Sequence, residues 1–457
     1  MQTEASTKPM KQIDMTCGPI MKKVLLFAIP ICAGNLLQQL YNTVDTLVIG
    51  NFCGSSSLAA VGTSAQPVEI LLCIFLGLGT GVSILASQYV GRNDPESLID
   101  LTATSVSFLY ICAVPLSLLG PVIGSAVLGF MQVPGDAWDF ADAYIRIVLL
   151  GSLGNMGYNM NAGILRGLGD SRASLLFLFI ACLVNVVLDL LFVAGFGMDV
   201  PGAALATAIA MYCSWIFSIL YIKHAYPQLK LTVFPRRLKG RLVREILRIG
   251  LPLGLNSSIY SIGHILLQSL VNLQGSVFMA GWAVGTRINN IANMAITSFS
   301  SAATTFSGQN LGAENYVYLK KGGIRIPLFS ALVTAAAGCL MVLNCRPVIG
   351  FFTQEAAVAD IAVRYVSIIL PFSWCYAVLN CIICFNNGMG QVRFPTIVNI
   401  LMLWAVRIPS AYLIARFVDG GFIMASVSIS FVFGMSCMLT YYLGRQWKDI
   451  CRRAALS

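Results

Sequence analysis

Three acidic side chains stand inside long apolar runs: Asp45 in LYNTVDTLVIG, Glu69 in SAQPVEILL and Asp189 in NVVLDLLF. Keeping a carboxylate away from water is costly, so an acid in such a place is read first as a group that holds something. Two carboxylates sharing a pocket of low dielectric disfavour joint ionisation; they hold one proton between them and titrate as a unit. The alternative is a pair that stays ionised around a sodium ion, with amide, hydroxyl and carbonyl oxygens completing the shell. Asn185 lies one turn before Asp189 on the same helix face and is placed to contribute. The apolar runs also contain two cations, Arg287 and Arg407, both in the second half of the chain. They either staple neighbouring helices through backbone carbonyls or offer a second lobe that attracts anions. His264 reads as a hydrogen-bonded packing residue.

These residues need elements that carry them through an apolar medium. The chain has 457 residues, 57% of them hydrophobic and 11% charged. Soluble globular proteins carry about 25% charged residues, so the apolar excess must face lipid. The net charge of +10 does not indicate nucleic acid, because the basic residues sit in short loops between apolar runs. Residues 1–23 are polar and the run that follows is too long for a signal-peptide core. The 14 cysteines are scattered, and the CxxC from Cys381 to Cys384 lies within a span, where buried thiols are expected rather than a metal or redox site. With two histidines, His224 and His264, far apart, and with no P-loop, HExxH or GxSxG constellation, an enzyme is not expected.

A helix needs about 20 apolar residues to cross the hydrocarbon core. Such runs predict twelve spans, at 24–50, 58–88, 101–129, 138–163, 173–195, 201–223, 246–273, 277–307, 324–352, 359–386, 394–416 and 422–444. The two tails and the loops after even-numbered spans hold or adjoin 23 of the 29 basic residues, which puts both termini in the cytoplasm. Counting inward from the outer ends, Asp45 and Asp189 each lie about six residues deep, or ~9 Å. Thr207 in span 6 and Tyr144 in span 4 fall at the same level. Four helices of one bundle therefore bring polar groups to one depth.

The two halves repeat. AIP at Ala28–Pro30 answers GLP at Gly250–Pro252, AAVGT ending at Thr63 answers WAVGT ending at Thr286, and SQYVG ending at Gly91 answers GQNLG ending at Gly312. Tyr144, Asn159, Gly167, Gly169 and Arg172 match Tyr365, Asn380, Gly388, Gly390 and Arg393 at a constant offset of 221. Each half has six spans and starts inside, so the repeats are parallel, about an axis along the membrane normal. The expected fold is thus an all-α polytopic membrane protein with twelve transmembrane helices in two parallel six-helix repeats. Its expected parts are a tail at 1–23, bundles at 24–223 and 246–444, a basic linker at 224–245 and a tail at 445–457.

VDTLVIG in span 1, SQYVGR after span 2, NVVLDLLF in span 5, PGAALATAIA in span 6 and GQNLGAEN after span 8, in this order on a six-plus-six plan, resemble the multidrug and toxic compound extrusion (MATE) exporters. The resemblance runs from about Lys22 to Arg445. It implies efflux of amphipathic, often cationic, organic compounds in exchange for protons or sodium ions. It assigns cation coupling to Asp45, Asn185 and Asp189, and less specifically to Thr207 and Tyr144. One branch of that family carries acids in spans 7 and 10; here Tyr260 and Tyr376 stand at those positions, so the resemblance is to the branch that couples through the first bundle.

The expected function is a secondary antiporter working by alternating access, with a proton preferred over sodium as coupling ion and no cofactor or structural metal. A sodium ion, if used, falls to Asp45, Asn185 and Asp189. Glu69, Arg287, Arg407, Tyr260 and Tyr376 are candidates for the substrate cavity. A small organic substrate, in the first instance cationic, and the lipid bilayer are the expected partners, with no nucleic acid. A monomer in the plasma (inner) membrane is expected. The alternative is a flippase of lipid-linked sugars, or an exporter of anionic metabolites through Arg287 and Arg407.

Overall fold

The computed structural model describes residues 12–53, 55–131, 135–236 and 238–455, and among them there are helices and turns but no strands. Among the described residues, the long helical stretches overlap the predicted spans in chain order, and a short separate helix, Cys345–Gly350, follows the ninth of them. In the first half the long stretches are α1 (Ile20–Phe52), α2 (Ser55–Gly91), α3 (Pro95–Phe130), α4 (Gly135–Leu150 continued by Ser152–Gly167), α5 (Ser171–Gly195) and α6 (Asp199–Ala225). In the second they are α7 (Gly240–Asn272), α8 (Ser276–Gly312), α9 (Tyr316–Leu343), α10 (Ala356–Gly388), α11 (Arg393–Phe417) and α12 (Ala425–Ala454).

Among the described residues, nine of these stretches are long and apolar enough to cross a membrane by length and composition. The exceptions have physical reasons. α4 is interrupted at Gly151, where a Cβ would lie 2.7 Å from that of Ala208. α7 opens with Arg241, Arg244, Glu245 and Arg248, and α8 carries Arg287, Asn289 and Asn290 along with a run of buried hydroxyls. Helices that turn polar faces toward protein have less apolar surface to spare than helices facing lipid.

The repeat persists in the turns. Asn93 and Glu314, 221 residues apart, both take a left-handed conformation (φ 54° in each), and the residues after them, Asp94 and Asn315, accept from Ser97 N and Tyr318 N to cap α3 and α9. Gly169 and Gly390, at the same offset, have φ of 89° and 80°, a region closed to most side chains.

The two halves meet through α1 and α2 on one side and α7 and α8 on the other. α2 and α7 cross at glycines spaced four apart: a Cβ on Gly77 would lie 2.2 Å from the Gly254 nitrogen, and one on Gly81 would lie 2.9 Å from the Gly250 nitrogen. Small residues at this spacing let helix backbones touch. At the end carrying the basic loops the contact is reciprocal. Gln88 Nε2 donates to the Gly388 carbonyl (2.9 Å) and Gln309 Nε2 to the Gly167 carbonyl (3.2 Å). Both glutamines, and both glycines, are related by the offset of 221.

The segment before α1 lies across this end. Ile13 N donates to the Gly169 carbonyl at 3.2 Å in the first half. Met15 N donates to Gln309 Oε1 at 2.9 Å in the second half, where Asn310 Nδ2 returns a bond to the Met15 carbonyl at 3.0 Å. The Met15 side chain is buried in a core cluster that also holds Phe27, Phe306 and Leu319.

Candidate functional site

Toward the C-terminal ends of α1 and α5 in the first half, α1, α4, α5 and α6 bring their polar residues together. Asp45 sits half-buried on α1, while Asn185 and Asp189 on α5 are fully buried. The Asp45 and Asp189 carboxyl groups are within hydrogen-bonding reach of each other. Tyr144 on α4 lies within electrostatic range of both. Thr207 on α6 accepts from Asn185 Nδ2 at 3.4 Å.

A residue that the sequence reading did not single out completes the group. Tyr41, one turn before Asp45 on α1, donates its hydroxyl to Thr207 Oγ1 at 3.2 Å. It lies in the electrostatic field of Asp45, Tyr144 and Asp189. The signal was present in LYNTVD, since residues i and i+4 share a helix face.

Four oxygens of this cluster are buried without a donor: Asp45 Oδ1, Asn185 Oδ1 and both oxygens of Asp189. Buried polar atoms are normally satisfied. Two facing carboxylates have no hydrogen to give each other, so a proton between them turns a repulsive contact into a hydrogen bond. A sodium ion is the other species whose chemistry fits the same set of hard oxygen donors. Immediately after Asp189 the helix widens into a six-residue π turn, Leu190–Gly195, a local geometry frequent at functional sites.

The second half holds a different cluster. Arg407 ends another six-residue π turn, Met402–Arg407, in α11 and is 2% exposed. Its Nε donates to Ser430 Oγ of α12 at 2.9 Å and its Nη1 to the Tyr260 hydroxyl of α7 at 2.8 Å. The staple thus runs through side-chain hydroxyls rather than the backbone carbonyls anticipated. The guanidinium carbon lies 5.7 Å from the Tyr260 ring centre and 5.4 Å from that of Phe431, and Tyr376 stacks on Phe431 at 4.6 Å. His264 packs its ring 4.9 Å from Tyr260 and is exposed rather than packed in a core. Tyr260, Tyr376 and Arg407 are therefore brought together. Arg287 and Glu69 are not among them: Arg287 is exposed on α8 and Glu69 is exposed on α2.

The MatE family model matches the chain twice, over residues 30–191 and 252–413. The chain belongs to the MatE family. The probable multidrug resistance protein YpnP of Bacillus subtilis is 28% identical over 445 residues, covering 96% of this chain and 98% of its own. A FAD transporter of Shewanella oneidensis is 23% identical over 449 residues, covering 94% of this chain and 95% of its own. A multidrug resistance MATE transporter in an outward-facing conformation has the same fold, with a TM-score of 0.88 at 24% identity over 98% of this chain and 100% of that one. As a MatE protein with several long apolar helices, this chain is a multi-pass membrane protein of a family of transporters, and its relatives include drug exporters.

Proposed function

We propose that this protein is a secondary antiporter that exports amphipathic organic compounds, driven by a cation returning through the first half. The observation that carries the reading is the cluster of buried donorless oxygens on Asp45, Asn185 and Asp189, ringed by Tyr41, Tyr144 and Thr207. A proton is the coupling ion favoured by two carboxyls facing each other, because it resolves the contact without adding ligands; sodium is the second choice. Twelve crossings with both termini in the cytoplasm of an inner membrane, two six-helix bundles joined by the 224–245 linker, and a monomer complete the reading.

In this scheme the glutamine clasp and the glycine crossing close the cytoplasmic end while the acid cluster lies toward the outer end. Loading the acids with the cation from outside, then parting the cytoplasmic contacts, exchanges cation for substrate. An organic cation is the natural first substrate. The FAD transporter among the relatives and the buried Arg407 also favour testing an anionic one.

The test uses purified protein in liposomes loaded with ethidium, under an imposed proton gradient and separately under a sodium gradient, with Asp45→Asn in parallel. Movement driven by one gradient and lost in the variant is the expected result. Normal transport by Asp45→Asn would falsify the coupling role.

A further inference from the structure

We infer that Arg407, with Tyr260, Tyr376 and Phe431, forms a binding site for an anionic group carried on a flat aromatic scaffold. The inference deepens the transporter reading, in that it names a substrate class for the second half, and it rests on that reading only for the ligand's fate after binding.

The charge on Arg407 is permanent, because a guanidinium does not deprotonate in proteins. An aspartate or lysine in the same place could neutralise itself; an arginine cannot. Yet none of the ion pairs formed among the described residues involves Arg407. Its half offers no acid at that depth, for the acids after Ile246 are Glu314, Glu355, Asp360, Asp419 and Asp449, all at helix ends or in loops. Its two hydrogen bonds go to neutral hydroxyls, and Nη2 is buried with no partner at all.

A purely structural staple does not need such a residue. Buried charges can often be replaced by apolar residues of similar volume without loss of stability, whereas a buried charge left unpaired is strongly destabilising. Here the two hydroxyl bonds and the two ring faces stabilise the cation only in part. What is missing is an anion, and donors for one remain unspent. Nη2 is unused, and the Tyr260 hydroxyl, which accepts from Nη1, still has its own hydrogen to give. Tyr260 is half-buried with the exposed His264 ring beside it, so the approach is from that side. Tyr376 and Phe431, stacked on each other, supply an aromatic wall next to the charge. The ligand that fits is a carboxylate, sulfonate or phosphate attached to an aromatic ring.

Equilibrium dialysis of the protein in phosphatidylcholine nanodiscs tests this without any transport step. The probes are 2-naphthalenesulfonate and 2-naphthalenesulfonamide, which share ring and shape and differ in charge. A charge-assisted contact of this kind predicts binding of the sulfonate about tenfold tighter or more. Arg407→Gln should erase that preference and Arg407→Lys should keep part of it. Melting of each variant is followed alongside, and Tyr260→Phe, with a several-fold weaker preference expected, serves if Arg407→Gln does not fold. Equal binding of the two probes to the unaltered protein overturns the inference without any variant. A preference that survives in Arg407→Gln, or one that is undiminished in Tyr260→Phe where that variant takes its place, also overturns it, since the anion then sits elsewhere on the basic surface. Either failure leaves the Asp45 coupling experiment untouched.

Discussion

Thr207 accepts hydrogen bonds from both Tyr41 and Asn185, and this arrangement fixes what the neighbouring acids can do. With the Asn185 amide nitrogen turned to Thr207, its carbonyl oxygen is left on the side that holds no donor. Asn185 therefore adds an acceptor to the acid pair and none of its hydrogens. A third acceptor raises the cluster's demand for a proton or cation. Asp189→Asn puts a donor beside Asp45 and satisfies it without any ion, so gradient-driven ethidium efflux should fall by at least an order of magnitude, measured in the liposome assay with protein amounts matched. Tyr41→Phe removes only one of the two donors to Thr207. It should slow efflux a few-fold while leaving its dependence on the gradient intact; a complete loss would mean that the Tyr41 hydroxyl itself carries the ion. Asp45, Asn185, Asp189, Thr207 and Tyr144 were legible because depth can be counted from helix ends. Tyr41 was passed over because tyrosine at a helix surface is common and only its tertiary partner distinguishes it. Tyr260, Tyr376 and Arg407 were each legible as candidates, but their gathering around Phe431 became visible only once α7, α10, α11 and α12 were packed together.

Helix limits in this chain are set by local signals, and the sequence carries them openly: capping residues such as Asp94 and Asn315, the left-handed Gly169 and Gly390, and apolar runs of sufficient length. The interruptions inside the helices are different. The break at Gly151 answers to Ala208 on another helix, and the π turns after Asp189 and up to Arg407 leave no residue signature. The glycine crossing of α2 and α7 falls between these cases, since GLGTG and GLPLG are visible as glycine-rich but only their juxtaposition shows what the spacing is for. A side chain there must push the backbones apart, because the obstructing atoms are main chain. Gly77→Val is expected to destabilise this closed arrangement by about 1–3 kcal/mol, the usual cost of overpacking. A lower melting temperature in detergent, with little change for the control Gly62→Val at an open position, is the measurable result.

At the scale of the whole molecule, a structural repeat carries opposite charges. The fifth helix of the first half presents Asp189 and that of the second half presents Arg407, each next to a π turn. Doubling a bundle makes two halves that dock about an axis, and here the halves have diverged in charge, with an acid on α5 of the first and an arginine on α11 of the second. The docking itself kept the symmetry, as the exchanged bonds of Gln88 with Gly388 and Gln309 with Gly167 show. The two bonds are not equal in consequence, because Gln309 also receives Met15 N and so ties the segment before α1 to the second half. Gln88 touches none of that segment's hydrogen bonds, which makes it the better probe of how the closed end is held. Losing one such bond is worth about 1 kcal/mol, a factor of roughly five in the population that opens. Gln88→Ala should therefore speed hydrogen–deuterium exchange at the Ile13 and Met15 amides by about that factor, although the bonds those amides make to Gly169 and Gln309 are unaltered by the substitution. Gln309→Ala should speed exchange at Met15 further, since its acceptor is gone as well. Unchanged exchange at Ile13 in Gln88→Ala would show that the N-terminal segment and the glycine crossing hold the closed end without the glutamines. Faster exchange there would show that opening at this end is one event, in which clasp and strap release together.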